Sequence, residues 1–174
     1  ALMFSVISRP DPRDCYALPP EPADFHETLN GNIAGWRIAY SPTLSGAEVD
    51  PEIAASVAKS AKVFEGLGAK VELVEHVLDP SLLTFQTHWF GGAAFLVGQF
   101  PAEKQKLLDP GLADVVEMGR RISLMDHLAA VKAREAMGTA MNQFHQRYDL
   151  LLTPTMPIPA FAAGHAFPPQ RARQ

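Results

Sequence analysis

Residues 35–74 constrain the fold more than any other stretch, because three differently patterned segments follow one another there with clear punctuation. Gly35-Trp36-Arg37-Ile38-Ala39-Tyr40 reads as a short strand, ended by Ser41-Pro42 and a loop through Gly46. A helix follows. Asp50 is a natural N-cap, since its carboxylate accepts from the unpaired amides of a first turn, and Pro51 suits the first helical position. Glu52 complements the positive end of the helix dipole. Ile53, Val57, Ala61, Phe64 and Leu67 recur at helical spacing and predict one apolar face. Gly66 and Gly68 close the helix, with Gly68 expected in the left-handed region that the absence of a Cβ makes accessible. Lys70-Val71-Glu72-Leu73-Val74 then alternates at period two, as a strand does. Strand, helix and strand in so short a span predict a βαβ unit with parallel strands, and hence an α/β fold with a helix-flanked parallel or mixed sheet.

The remaining segments extend that plan. Pro10 ends an opening helix, Asp11 to Asp14 form a turn, and the proline-rich stretch to Asn32 is an extended connector. The first residues lack the basic start and small-residue cleavage site of a signal peptide, and they read as the end of a helix that continues upstream. From Pro80 to Tyr148 the pattern is helical in three or four pieces, broken at Pro101 and Pro110-Gly111. Ser123 and Asp126 have capping-box spacing at the start of the longest piece, on which Leu128, Val131, Ala140 and Phe144 predict an apolar side. Leu150-Leu151-Leu152 is apolar on consecutive positions, so both its faces should be covered, which predicts a central parallel strand. The chain is thus expected to be a single partial domain with four parts. Residues 1–32 are a helix end and connector, 33–78 the βαβ unit, 79–148 a helical region, and 149–174 a strand with a proline-rich tail.

Composition narrows the functional classes. The 174 residues carry 15 Lys+Arg against 19 Asp+Glu, a net charge of −4, which leaves no basic footprint for nucleic acid. The apolar stretches fall far short of the ~20 residues of a membrane span. The one cysteine, Cys15, has no internal disulfide partner, which fits a reducing, cytoplasmic location.

Several residues invite a chemical role. Gly66-Leu67-Gly68-Ala69-Lys70 has phosphate-loop residues in the wrong order: the glycines close a helix, whereas an anion site needs them to open one. Ser123, Asp126 and His127 would share a helix face, but a serine at an N-cap directs its oxygen at backbone amides, which argues for capping over a triad. His26, His76, His88, His127, His145 and His165 show no ligand spacing, so no metal is implied. Trp89-Phe90 with Gly91-Gly92-Ala93-Ala94 suits either close helix packing or a pocket wall. Thr153, Thr155 and Met156 follow the predicted buried strand, at the carboxyl edge where α/β sheets bind ligands. A proline-stiffened strand exit explains them equally well. Read residue by residue, the sequence carries no convincing catalytic constellation.

Taken in order, Asp11-Pro12-Arg13-Asp14 with Leu18-Pro19, Gly35-Trp36-Arg37-Ile38, Val49-Asp50-Pro51-Glu52 and Leu67-Gly68-Ala69 with Val71 are similar to segments of the amidase signature family. Tyr148-Asp149-Leu150-Leu151-Leu152-Thr153-Pro154-Thr155 with Pro157 completes the set, which spans nearly the whole chain. The resemblance implies an amidohydrolase that cleaves carboxylic amides through an acyl-enzyme. A Ser–cis-Ser–Lys triad in a Gly/Ser-rich stretch supplies the nucleophile, without a cofactor. Nothing in this sequence resembles that stretch, so no catalytic residue is assigned and the chain is expected to be inactive alone. It would contribute scaffold and pocket walls, with Trp89, Thr153, Thr155 and Met156 beside the substrate channel. Its implied partners are a small-molecule amide and the remaining amidase polypeptide, together with other copies of itself through exposed strand edges. The alternative is a stand-alone assembly or binding module derived from the same fold. A small independent enzyme using Cys15 or His127 is the third reading.

Overall fold

The computed structural model describes residues 1–19, 24–44, 46–165 and 168. Its centre is a three-stranded parallel sheet of β1 (Arg37–Tyr40), β2 (Lys70–Leu73) and β3 (Leu150–Leu152), in the order β2-β1-β3. Arg37 pairs with Lys70 on one side of β1, and Ile38 pairs with Leu150 on the other. Helix α1 (Leu2–Ile7) precedes the sheet, α2 (Pro51–Gly66) joins β1 to β2, and α3 (Leu82–Gly98), α4 (Ala102–Gln105), α5 (Pro110–Arg120) and α6 (Leu124–Phe144) lie between β2 and β3. The molecule is an α/β protein with the helical region inserted between strands, as the sequence predicts.

The βαβ unit forms for the reasons its punctuation gives. The Asp50 carboxylate accepts from the Glu52 amide at 2.9 Å, Pro51 occupies the first helical position, and Gly68 follows the last turn with φ of +90°. A Cβ at Gly68 would also lie 3.2 Å from the Ala34 Cβ, so a side chain there is disfavoured on two counts. Ala61 is buried and Ile53, Val57 and Phe64 are half-buried on one face of α2, whereas Leu67, expected on that face, is exposed.

The sheet departs from expectation in one respect. The central strand is β1, where Ile38 and Ala39 point to opposite faces and both are buried. Among the described residues β3 is an outer strand, with Leu150 40% exposed. Three consecutive leucines show that two faces favour cover; they do not say which slot in the sheet the strand takes. The end of α6 supplies cover, since Phe144 and Tyr148 pack with Ala39 against Met141, Val74, Val77 and Leu151. On α6 the apolar side is also displaced from the predicted one: Ala130 and Phe144 are buried and Val131 half-buried, while Leu128 and Ala140 are exposed.

Two polar devices fix the strand ends. Arg37 and Asp149, 112 residues apart, clamp the amino ends of β1 and β3. Arg37 donates its backbone amide (2.8 Å) and its Nη2 (2.9 Å) to the Asp149 carboxylate, and Asp149 returns its amide to the Arg37 carbonyl at 2.8 Å. These bonds hold the Asp149 carboxyl below its ordinary pKa and raise that of the guanidinium. On the other side, the neighbouring Glu72 carboxylate pushes the Tyr148 phenol above its ordinary value. Helices α3 and α5 pack so closely that Gly119 faces the backbone of Phe90 directly.

Candidate functional site

The carboxyl ends of β1 and β3 make the best-built concave site. Tyr40 pairs with Leu152, and the next amide, that of Ser41, donates to the Leu152 carbonyl at 2.9 Å. Ser41 and Thr153 therefore leave the sheet side by side. The chain after Ser41 turns sharply at Leu44, whose φ is +57°, and the Leu44 carbonyl is held by the Val77 amide at 3.1 Å. The Asp50 amide donates to the Pro157 carbonyl at 2.8 Å, tying the start of α2 to the stretch after β3. Between these two stretches lies a cavity of about 210 Å³, walled by Pro42, Leu44 and Val49 on one side and Thr153, Thr155 and Pro157 on the other. Among the described residues no charged side chain lines it. Thr153, in the cavity wall, has its Oγ1 buried with no hydrogen-bond partner among the described residues; Ser41 Oγ, at the end of β1 and outside the lining, is buried and unpartnered in the same way. Buried hydroxyls without partners are uncommon, and they suit a neutral group with donor and acceptor atoms.

The sequence-predicted residues divide at this point. Thr153 and Thr155 line the cavity together. Met156, 61% exposed, does not line it. Trp89 sits on α3, 62% exposed and stacked on Phe85 with ring centroids 5.6 Å apart, and it does not line the cavity either. Half of the wall comes from the loop after β1, to which the sequence reading gave no role. Applying the carboxyl-edge rule to β1 as well as to β3 would have pointed to it.

The other candidates settle into structural roles. Ser123 Oγ accepts from the Asp126 amide at 3.1 Å, while the Ser123 amide and hydroxyl donate to Asp126 Oδ2 at 3.1 and 2.6 Å. This is a complete capping box, and these bonds lower the Asp126 pKa. Gly66 and Gly68 close α2 and precede β2, so they open no helix. Cys15 is exposed. His127 lies edge-on to His88, with ring centroids 5.3 Å apart. Among the described residues no three His, Cys, Asp or Glu side chains gather as metal ligands, and no helix is long and apolar enough to cross a membrane.

Comparison with known proteins adds what the geometry cannot. The Amidase family profile matches residues 1–173. An acylamidase of Rhodococcus erythropolis is 28% identical over 92% of this chain and 34% of its own length. An amidase of Pseudomonas putida is 27% identical over 97% of this chain and 37% of its own length. The crystal structure of a bacterial aryl acylamidase belonging to the amidase signature enzymes superposes with a TM-score of 0.70 at 25% identity, over 89% of this chain and 34% of that one. The chain spans about a third of the length of the curated relatives it matches.

Proposed function

This chain belongs to the amidase family, and on that premise we propose that it forms the scaffold and substrate-pocket walls of an enzyme that hydrolyses carboxylic amides. In the proposed reaction a serine oxygen attacks the amide carbonyl, the amine leaves carrying a proton, and water then splits the resulting ester to the free acid. The activating groups, a second serine and a lysine, have no counterpart in this sequence and would come from other amidase polypeptide.

The observation that supports this reading is the uncharged cavity at the carboxyl ends of β1 and β3, with Thr153 and Thr155 in its wall. A neutral amide has no net charge to compensate, and burying it costs little once its N–H and C=O find hydroxyl partners. Met156 and Trp89 are exposed and lie outside that cavity, and their part in binding substrate rests on the family resemblance alone. The test is release of 4-nitroaniline from 4-nitroacetanilide, followed by absorbance. This chain alone should release none, because unassisted amide hydrolysis is slower than enzymatic turnover by many orders of magnitude. Release by this chain, surviving removal of contaminants and abolished by substitution within it, would overturn the proposed division of labour.

One observation favours the assembly-module reading as well. On α3, Leu82, Phe85, Trp89 and Leu96 follow one helical stripe and all are exposed, as are Leu73 on β2 and Leu150 on β3. Surfaces of this kind associate. Sedimentation velocity over a wide concentration range should show self-association; a monomer throughout would count against it.

A further inference from the structure

Helix α3 meets the start of α6 through two histidines, His88 and His127. Neither shows ligand spacing in the sequence; the packing of the helices brings them together. Gly91, one turn after His88, lies against Ile122, whose Cδ1 is 3.8 Å from the place of an added Cβ, so this face of α3 looks onto the junction of α5 and α6. His127 stands in the first turn of α6, where its amide donates to the Ser123 carbonyl at 3.0 Å and the Ser123–Asp126 capping box fixes the backbone. The two imidazole rings lie 5.3 Å apart between centroids, with 80° between their planes. Both are carried on helices held by their own backbone bonds, which is the support a ligand pair needs.

His88 is half-buried, and its Nε2 is shut off from water with no hydrogen-bond partner among the described residues. A buried ring nitrogen left unpaired is uncommon and calls for a partner. The ring separation says which kind fits. A zinc ion binds an imidazole nitrogen at about 2.05 Å, which puts it about 3.2 Å from each ring centre; at a tetrahedral angle two such centres lie about 5.2 Å apart. The observed separation matches. Asp126, the neighbouring acid, keeps its Oδ2 on the Ser123 hydroxyl at 2.6 Å, so the pair stands as two imidazoles. His127 is exposed, which gives an ion an entry path and lets water complete its coordination.

We propose that His88 and His127 form a two-histidine site for a divalent transition-metal ion of the zinc type, which clips α3 to α6. Imidazole favours such ions over Mg(II) and Ca(II), which take oxygen ligands. Isothermal titration calorimetry of the full chain with Zn(II), and with Mg(II) as the contrast, tests it. Zn(II) should bind at one site and Mg(II) should not. Zn(II) should also raise the melting temperature, since an ion held only by the folded chain stabilises it. His127→Ala, at an exposed position, should weaken Zn(II) binding by at least about tenfold and abolish the thermal shift; His88→Gln should do the same. Should His88→Gln unfold, His127→Ala decides alone. Cys15→Ser and His76→Ala, which remove other exposed ligands, should leave both readouts unchanged. No heat of binding with Zn(II), binding only in the millimolar range, or binding unchanged in His127→Ala would each overturn the proposal. The two rings would then meet through an edge-on N–H···π contact alone.

Discussion

Gly119 offers the sharpest test of the helical packing. It is buried on α5 where that helix meets α3, and a Cβ added there would collide with the Phe90 carbonyl oxygen. The same Cβ would lie 2.6 Å from the Phe90 carbonyl carbon and 2.9 Å from the Ala94 Cβ. Real Cβ atoms essentially never come within 3.0 Å of another heavy atom, so Gly119→Ala must move the two helices apart, and the Phe90 carbonyl oxygen, nearer than its carbon, sets how far. The obstacle is backbone inside a helix, which cannot swing aside as a side chain does. Overpacking of this sort costs about 1–3 kcal/mol and occasionally more. Against it stands the gain in helix propensity of alanine over glycine, about 1 kcal/mol. The upper part of the overpacking range applies, so the net loss should be about 2 kcal/mol. Gly138→Ala on α6 is the control: it meets no atom within 4 Å, so only propensity acts and the variant should gain about 0.5–1 kcal/mol. Urea denaturation followed by far-UV CD measures both. The two substitutions should shift the midpoint in opposite directions with unchanged slope. A Gly119→Ala protein as stable as the parent would refute the close approach of α3 and α5.

Two further predictions concern the polar devices. Ser123→Ala removes the hydroxyl that accepts the Asp126 amide and should cost about 1 kcal/mol of unfolding free energy in the same urea assay; Ser123→Asp should recover most of it. The Arg37 bonds hold the Asp149 pKa below 3.8, so the stability they give is present above 3.8 and lost as pH falls through the lower, folded value. Thermal melts of Asp149→Asn should therefore fall below the parent at neutral pH and converge with it in strong acid, by a modest amount because both side chains are partly exposed. A parent-to-variant difference that does not change with pH would contradict the assignment.

The parts of this fold legible in the sequence are those decided locally. Asp50, Pro51 and Gly68 act through their own backbone geometry, so the start and stop of α2 could be placed before any packing was known. The Ser123–Asp126 box is local in the same way. Positions decided by distant partners were not legible. Leu128 and Ala140 share a helical stripe, yet α6 turns Ala130 and Phe144 inward because α3 and the sheet lie on that side. The site follows the same rule. Thr153 and Thr155 could be placed by the carboxyl-edge argument. Their opposite wall, Pro42 to Val49, lies more than a hundred residues earlier, and the pairing of Tyr40 with Leu152 brings it there. Met156 and Trp89 are close to the site only along the chain or by resemblance, and neither lines the cavity.

The Arg37–Asp149 clamp bears on how the molecule assembles and how it tolerates change. β1 meets β2 across a short crossover, but it meets β3 only after the whole helical excursion has closed into a loop. Contacts so far apart in sequence form slowly, so the third strand should dock last, onto a two-stranded platform already in place. Loop-closure entropy grows only with the logarithm of length, about 0.6 kcal/mol for a doubling. The excursion is thus free to lengthen, shorten or exchange helices at little thermodynamic expense, while the platform beneath it keeps its register.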